Sequence, residues 1–157
     1  MVKYKIMSDK DLQDLLVDLE AEDPWKLIDE TKERIKYFNF GEDWHFKDQK
    51  SYYFCALLND KIIGCARVKT GGQSSLSHPG WRHWLTFISV DPEYQSQGIA
   101  RRLIDQIMYF CSKENIHLLI SSYSQQGFDK IRRHILFYAE EYNTAIKESS
   151  TKPDIFF

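Results

Sequence analysis

The run Trp84-Leu-Thr-Phe-Ile-Ser-Val90, stopped by Asp91-Pro92 and followed almost at once by a helical stripe, limits the folds open to this chain more than any other feature. Aromatic and β-branched residues make the run a strand, and Pro92 ends it. Ile99, Leu103, Ile107 and Phe110 then recur on one helical face with Cys111 beside them. A strand leading directly into an amphipathic helix calls for a sheet with a helix packed on it, so the chain belongs to the α/β class. At the junction, Gly98 removes side-chain bulk and Ala100 keeps the first turn small. Free amides at such a helix start can hold a pyrophosphate without a metal.

The remaining elements fit the same class. Val2 to Ile6 alternates enough to be a first strand, and Ser8 or Asp9 can cap a helix over about residues 10 to 20 that presents Leu12, Leu15, Leu16 and Leu19. A second, less regular helix reaches about Phe38, and 39–50 reads as a surface loop. Ser51 to Leu58 and Ile62 to Lys69, separated by Asn59-Asp60-Lys61, form the clearest hairpin. Thr70 to Arg82 is a connection, and Ile116 to Ser121 a short buried strand. Phe128, Ile131, Ile135, Tyr138 and Tyr142 mark the last helix, with Asp129, Lys130, Arg132 and Arg133 mostly outside its stripe. The tail predicts two edge strands broken by Ser149-Ser-Thr-Lys-Pro153. The first half of the sheet is expected to be largely antiparallel.

A length of 157 residues fits one domain with its own core, spanning 1–157. With 21 basic and 23 acidic residues and a net charge of -2, the chain has no global positive field for nucleic acid or an anionic membrane. Lys130, Arg132 and Arg133 form a local basic face, read as solvated. Cys55, Cys65 and Cys111 show no Cys-x-x-Cys spacing, so three free thiols in a reducing compartment are expected. No signal-peptide core or transmembrane span is evident, and cytoplasmic localisation is the expectation. His78, His83 and His134 form no recognisable metal motif, and no metal is expected.

The segment Gln95-Ser-Gln-Gly98-Ile-Ala100, preceded by Val90-Asp-Pro92, resembles the Gln/Arg-x-x-Gly-x-Gly/Ala signature of the GNAT superfamily of N-acetyltransferases. The resemblance extends over nearly the whole chain in element order. It implies a central mixed β-sheet flanked by helices and splayed after the fourth strand. It also implies acetyl-CoA as the acyl donor: Ile88 and Val90 would meet the pantetheine arm, while Gln95, Ser96, Gln97, Gly98, Ile99, Ala100 and Arg101 would surround the diphosphate. Acetyl transfer to a primary amine of a small molecule, polyamine or peptide would follow by direct attack, with amides near Ile88 polarising the thioester.

By the same resemblance Tyr138 stands where family members place a tyrosine that protonates the departing thiolate. Two departures accompany it: Tyr142-Asn143 replaces the family's Gly-Phe, and the asparagine often found after the preceding strand is missing from SSYSQQGFDKI. Core packing of Tyr138 remains an alternative, as does Tyr123 for the donor. The strand Trp84–Val90 has no carboxylate, so a water relay or an amine that arrives neutral replaces a strand-borne base, with Glu22, Asp23, Asp43 and His45 as lesser candidates. Asp43, Trp44, His45, Phe46, His78, Trp81 and Trp84 are candidates to line an acceptor cleft. A noncatalytic acyl-CoA-binding or regulatory protein is the alternative function. Ile155-Phe156-Phe157 could add an edge strand to a second copy, giving a homodimer.

Overall fold

Aromatic residues at Tyr52, Tyr53 and Phe54 favour β2 (Lys50–Leu58), and β-branched Ile62, Ile63 and Val68 favour β3 (Lys61–Thr70); the two strands pair antiparallel across a turn at Asn59. Asn59 has φ 51°, a left-handed conformation that asparagine tolerates. The computed structural model describes residues 1–8, 11, 50–59, 61–70, 81–121 and 128–149. The expected helices and loop over 12–49, the connection 71–80 with His78, Tyr123, and the last edge strand with Pro153 and Ile155-Phe156-Phe157 lie outside the described residues.

β1 (Lys3–Ser8) pairs antiparallel with β2. At its end Ser8, one of the two expected caps, has its Oγ accepting from Asp11 N at 3.3 Å while Asp11 Oδ2 accepts from Ser8 N at 3.4 Å. β4 (His83–Val90) is antiparallel to β3. Helix α1 (Ile99–Lys113) then leads to β5 (Leu118–Ser121), and α2 (Phe128–Glu141) to β6 (Ile146–Ser149). These two helical crossovers make β4, β5 and β6 parallel, and the sheet, six-stranded among the described residues, keeps sequence order from β1 to β6. β6 is the first of the two expected edge strands. No described helix is long and apolar enough to cross a membrane.

The core lies where α1 covers the sheet. Phe54, Ala56, Ala66, Val68, Ile88 and Val90 meet Ile99, Leu103, Ile104, Ile107 and Met108. Each large aliphatic side chain buried there contributes about 1.5–3 kcal/mol, so this stripe holds α1 far more strongly than helix propensity does. Gly64 permits the close fit at the helix start: a Cβ there would stand 3.0 Å from Ile99 Cγ2. The opposite face of β2 and β3 is also buried, with Tyr53, Cys55, Cys65 and Arg67 at 0% exposure. All three cysteines are free, and Cys55 Sγ and Cys65 Sγ lie 3.7 Å apart across the hairpin.

The sheet opens after the fourth strand, as the sequence led us to expect. β4 pairs with β5 only at His83↔Leu118 and Trp84↔Leu119. Immediately beyond, the β3/β4 register shifts: Arg67 faces Phe87 and Val68 faces Leu85, leaving Thr86 as an extra residue in β4. A bulge increases local twist and turns the strand, so the parting begins there, ahead of Val90.

Candidate functional site

The hydrogen-bond phase of β4 determines what faces the opening. Asp91 N donates to Ile63 O at 2.8 Å, which places Phe87, Ser89 and Asp91 at positions whose backbone groups point toward β3. The N–H and C=O of Ile88 and Val90 therefore point the other way, into the space left as β5 diverges. The side chains of both residues enter the core beneath α1. Gln95 Nε2 donates to the Val90 carbonyl at 3.0 Å, which assigns Gln95 a loop-fixing contact that its place in the motif did not disclose.

From Val90 the chain folds tightly. Asp91 is buried; its Oδ1 accepts from Glu93 N at 2.9 Å and caps the 3-10 turn Pro92–Tyr94. Ser96 (φ 64°) and Gly98 (φ 79°, ψ 11°) are both left-handed. A serine in this region costs about 1–2 kcal/mol, so the surrounding turn over-determines it. Such turns gather successive N–H groups into an anion-binding concavity. Gly98 is the N-cap of α1, and Arg102 N is the donor that closes the first turn on Gly98 O, at 3.0 Å. The amides of Ile99, Ala100 and Arg101 precede that bond and have no carbonyl partner within the helix.

The electrostatics reinforce this opening toward anions. Helix starts commonly carry Asp or Glu, yet the first turn of α1 has no acidic residue and includes exposed Arg101 and Arg102. Arg102 lies over the Tyr4 ring at 5.5 Å. Gln95, Ser96, Gln97 and Gly98 are exposed, and a Cβ on Gly98 would meet nothing within 4 Å. The space beside Gly98 is thus open to solvent, while the tight helix-to-sheet approach occurs at Gly64. This donor set fits a diphosphate.

Tyr138 is half-buried on α2 and packs against the core under α1. Its ring meets Phe137 edge-on, with centroids 5.0 Å apart, and stacks on Tyr142 at 6.4 Å with planes 17° apart. No described residue hydrogen-bonds its hydroxyl. The Tyr142 hydroxyl donates to Asp105 Oδ1, and that bond, followed by partial burial, pushes the Tyr142 phenol up to about 12. The two helices run in the same direction: Arg101 acts on His134, Asp105 holds Tyr142, and Met108 O accepts from Thr144 Oγ1 at 2.9 Å. Tyr138 therefore lies alongside the early turns of α1, toward the end that carries Gly98. Burial, then the charges of Arg101 and Arg133, lower the His134 pKa.

Other candidates separate from this region. Trp84 is buried at 4% exposure and serves the core instead of lining a cleft. Trp81 meets the His117 ring at a tilt, with centroids 5.5 Å apart, and lies under Lys147 at 5.7 Å, near the N-terminal ends of β4, β5 and β6. Arg132, counted with the solvated basic face, pairs with Glu148 at 2.8 Å and ties α2 to β6. Asp43, Trp44, His45, Phe46 and His78 fall outside the described residues. Among the described residues no group of three His, Cys, Asp or Glu side chains could hold a metal ion.

A family model described as "Acetyltransferase (GNAT) family" matches residues 12–128, well over half of the chain. No curated protein sequence matches it. Among solved structures, the fold is similar to a ribosomal-protein-alanine N-acetyltransferase from Brucella melitensis biovar Abortus 2308, with TM-score 0.54, 16% identity and 96% of each chain covered. It is also similar to a predicted acetyltransferase solved with acetyl-CoA from Clostridium acetobutylicum, with TM-score 0.50, 18% identity and coverage of 99% of this chain and 97% of the other. At these identities the structural likeness establishes the fold. With the family match spanning the opened sheet and the Gly98 turn, the chain belongs to the GNAT family of acetyltransferases.

Proposed function

We propose that this protein transfers the acetyl group of acetyl-CoA to a primary amine of a small molecule, polyamine or peptide by direct attack. One observation carries the reading: the backbone edge of Ile88 and Val90 turns into the opening of the sheet, and the chain runs from it directly to the free amides at the start of α1. In this arrangement Gln95 fixes the loop through the Val90 carbonyl. The amides near Gly98, Ile99, Ala100 and Arg101 hold the diphosphate, with Ser96 and Gln97 at its border. Ile88 and Val90 hold the arm by strand-like hydrogen bonds.

Acetyl-CoA supplies the activated carbonyl. The Ile88 amide polarises that carbonyl, favouring attack by a neutral amine. As the nitrogen–carbon bond forms, the carbon–sulfur bond breaks and its electron pair leaves on sulfur. Tyr138 gives the sulfur its proton, and water carries away the proton from the acceptor nitrogen. The replacement of Gly-Phe by Tyr142-Asn143 supports a second reading, a protein that binds acyl-CoA without turnover. Three cysteines held as free thiols favour a reducing compartment, and we place the protein in the cytoplasm.

Mass spectrometry of acetyl-CoA incubated with the protein and pooled amines, polyamines and peptides tests the proposal. Enzyme-dependent addition of one acetyl group to an amine, with matching release of CoA, is the expected result. Calorimetric binding of acetyl-CoA with neither acetylated product nor CoA release would select the noncatalytic reading.

A further inference from the structure

We propose that Tyr142, held by Asp105, is a positioning residue that fixes the Tyr138 phenol for proton delivery to the departing sulfur. The inference rests on the reading of Tyr138 as the donor. Tyr142 is the first residue beyond α2, where helix ends ordinarily fray. Here the end is tied down. Tyr142 N donates to Tyr138 O at 3.0 Å, and the Tyr142 carbonyl accepts from Ser112 Oγ at 2.7 Å. The adjoining Thr144 Oγ1 donates to Met108 O at 2.9 Å, and the Tyr142 hydroxyl donates to Asp105.

Asp105, Met108 and Ser112 all belong to α1, the helix whose first turn carries the amides beside Gly98. One rigid element therefore supports both the diphosphate site and the aromatic platform of Tyr138. Tyr109 closes the far side of that platform, with its ring edge-on to Tyr142 at 5.5 Å. The Tyr142 hydroxyl is committed to the carboxylate, whereas the hydroxyl of its stacked neighbour Tyr138 has no described partner. This division assigns proton delivery to Tyr138 and anchoring to Tyr142. Proton transfer requires hydrogen-bond reach, so a small swing of the Tyr138 ring would slow the chemical step while leaving cofactor binding intact.

The test is a double-mutant cycle of Tyr138→Phe and Tyr142→Phe, extended with Asp105→Asn and Asp105→Leu. Single-turnover transfer from acetyl-CoA to hydroxylamine, a small amine unprotonated at neutral pH, gives the rate; calorimetry gives acetyl-CoA affinity. Tyr138→Phe should slow transfer by about 10- to 100-fold. Tyr142→Phe should slow it by about 3- to 10-fold with affinity unchanged, and should add no loss in the Tyr138→Phe background. Asp105→Asn, which keeps an oxygen acceptor for the Tyr142 hydroxyl, should retain most of the rate, while Asp105→Leu should match Tyr142→Phe. If Tyr142→Phe fails to fold, the Asp105 pair carries the comparison.

An unchanged rate in Tyr142→Phe beside a slowed Tyr138→Phe would overturn the positioning role and leave the donor reading standing. An equal loss in both backgrounds would overturn it too, since Tyr142 would then act independently of Tyr138. An unchanged rate in Tyr138→Phe, or no enzyme-dependent transfer by the parent protein, would overturn the donor reading and this inference with it.

Discussion

Replacing Gly98 by Ala or by Asn separates the role of this residue in the fold from its role in binding. Gly98 has φ 79° and ψ 11° at the N-cap of α1, and the position of its missing Cβ has no neighbour within 4 Å. Alanine would suffer no collision but would occupy a left-handed conformation at a cost of about 1–2 kcal/mol. For a domain of this size that lowers Tm by roughly 2–8 °C. Asparagine accepts left-handed geometry and can cap the helix, so its Tm should stay within about 2 °C of the parent. Both side chains would project into the open space that the diphosphate is proposed to fill. Loss of one amide hydrogen bond to a charged phosphate removes about 1.5–3 kcal/mol, equivalent to roughly a 10- to 100-fold weaker Kd. Calorimetric titration of the folded Gly98→Asn protein with acetyl-CoA reads this directly. An unchanged Kd would refute the assignment of the open space to the diphosphate.

Three further outcomes follow from packing and charge. Gly64→Ala would bring its Cβ to 3.0 Å from Ile99 Cγ2, so overpacking should cost about 1–3 kcal/mol in urea unfolding and weaken acetyl-CoA binding by displacing the first turn of α1; an unperturbed unfolding midpoint would contradict this. Burial raises the Cys65 pKa and pushes Cys111 up to about 12, so all three buried thiols should react slowly with a thiol reagent in the native protein and rapidly after unfolding; prompt native labelling would contradict the packing. Burial, followed by the charges of Arg82 and His117, lowers the His83 pKa below 6.5. The unfolded chain then takes up the proton first, so this contribution to stability is complete above the unfolded pKa and is lost as pH falls; His83→Gln should flatten that acid-side decline in urea midpoints.

The framework was legible because its signals are local. Asn59 marked the hairpin turn, and Asn115 and Asn143, with φ 54° each, end the helical segments where polar residues interrupt the apolar stripes. The spacing of Ile99, Leu103 and Ile107 disclosed the buried face of α1. The strand-to-helix motif located the loop, yet it did not reveal the bulge at Thr86, since an extra strand residue leaves the surrounding composition unchanged. Nor did it show that Gln95 would turn back to Val90, a choice made by the loop conformation. In the sequence Asp105 is one charge among several on an amphipathic helix. Its pairing with Tyr142 arises only when α2 docks beside α1. Trp84 illustrates the converse: its aromatic character allowed either a cleft surface or packing under the strand, and its burial selects packing.

A crystal structure of the protein with acetyl-CoA tests the central claim most directly. The diphosphate should lie within hydrogen-bond distance of amides between Gly98 and Arg101, and the pantetheine arm should bond to the outward backbone edge of Ile88 and Val90. Acetyl-CoA bound with its diphosphate away from the start of α1, or with its arm outside the opening between β4 and β5, would contradict the account.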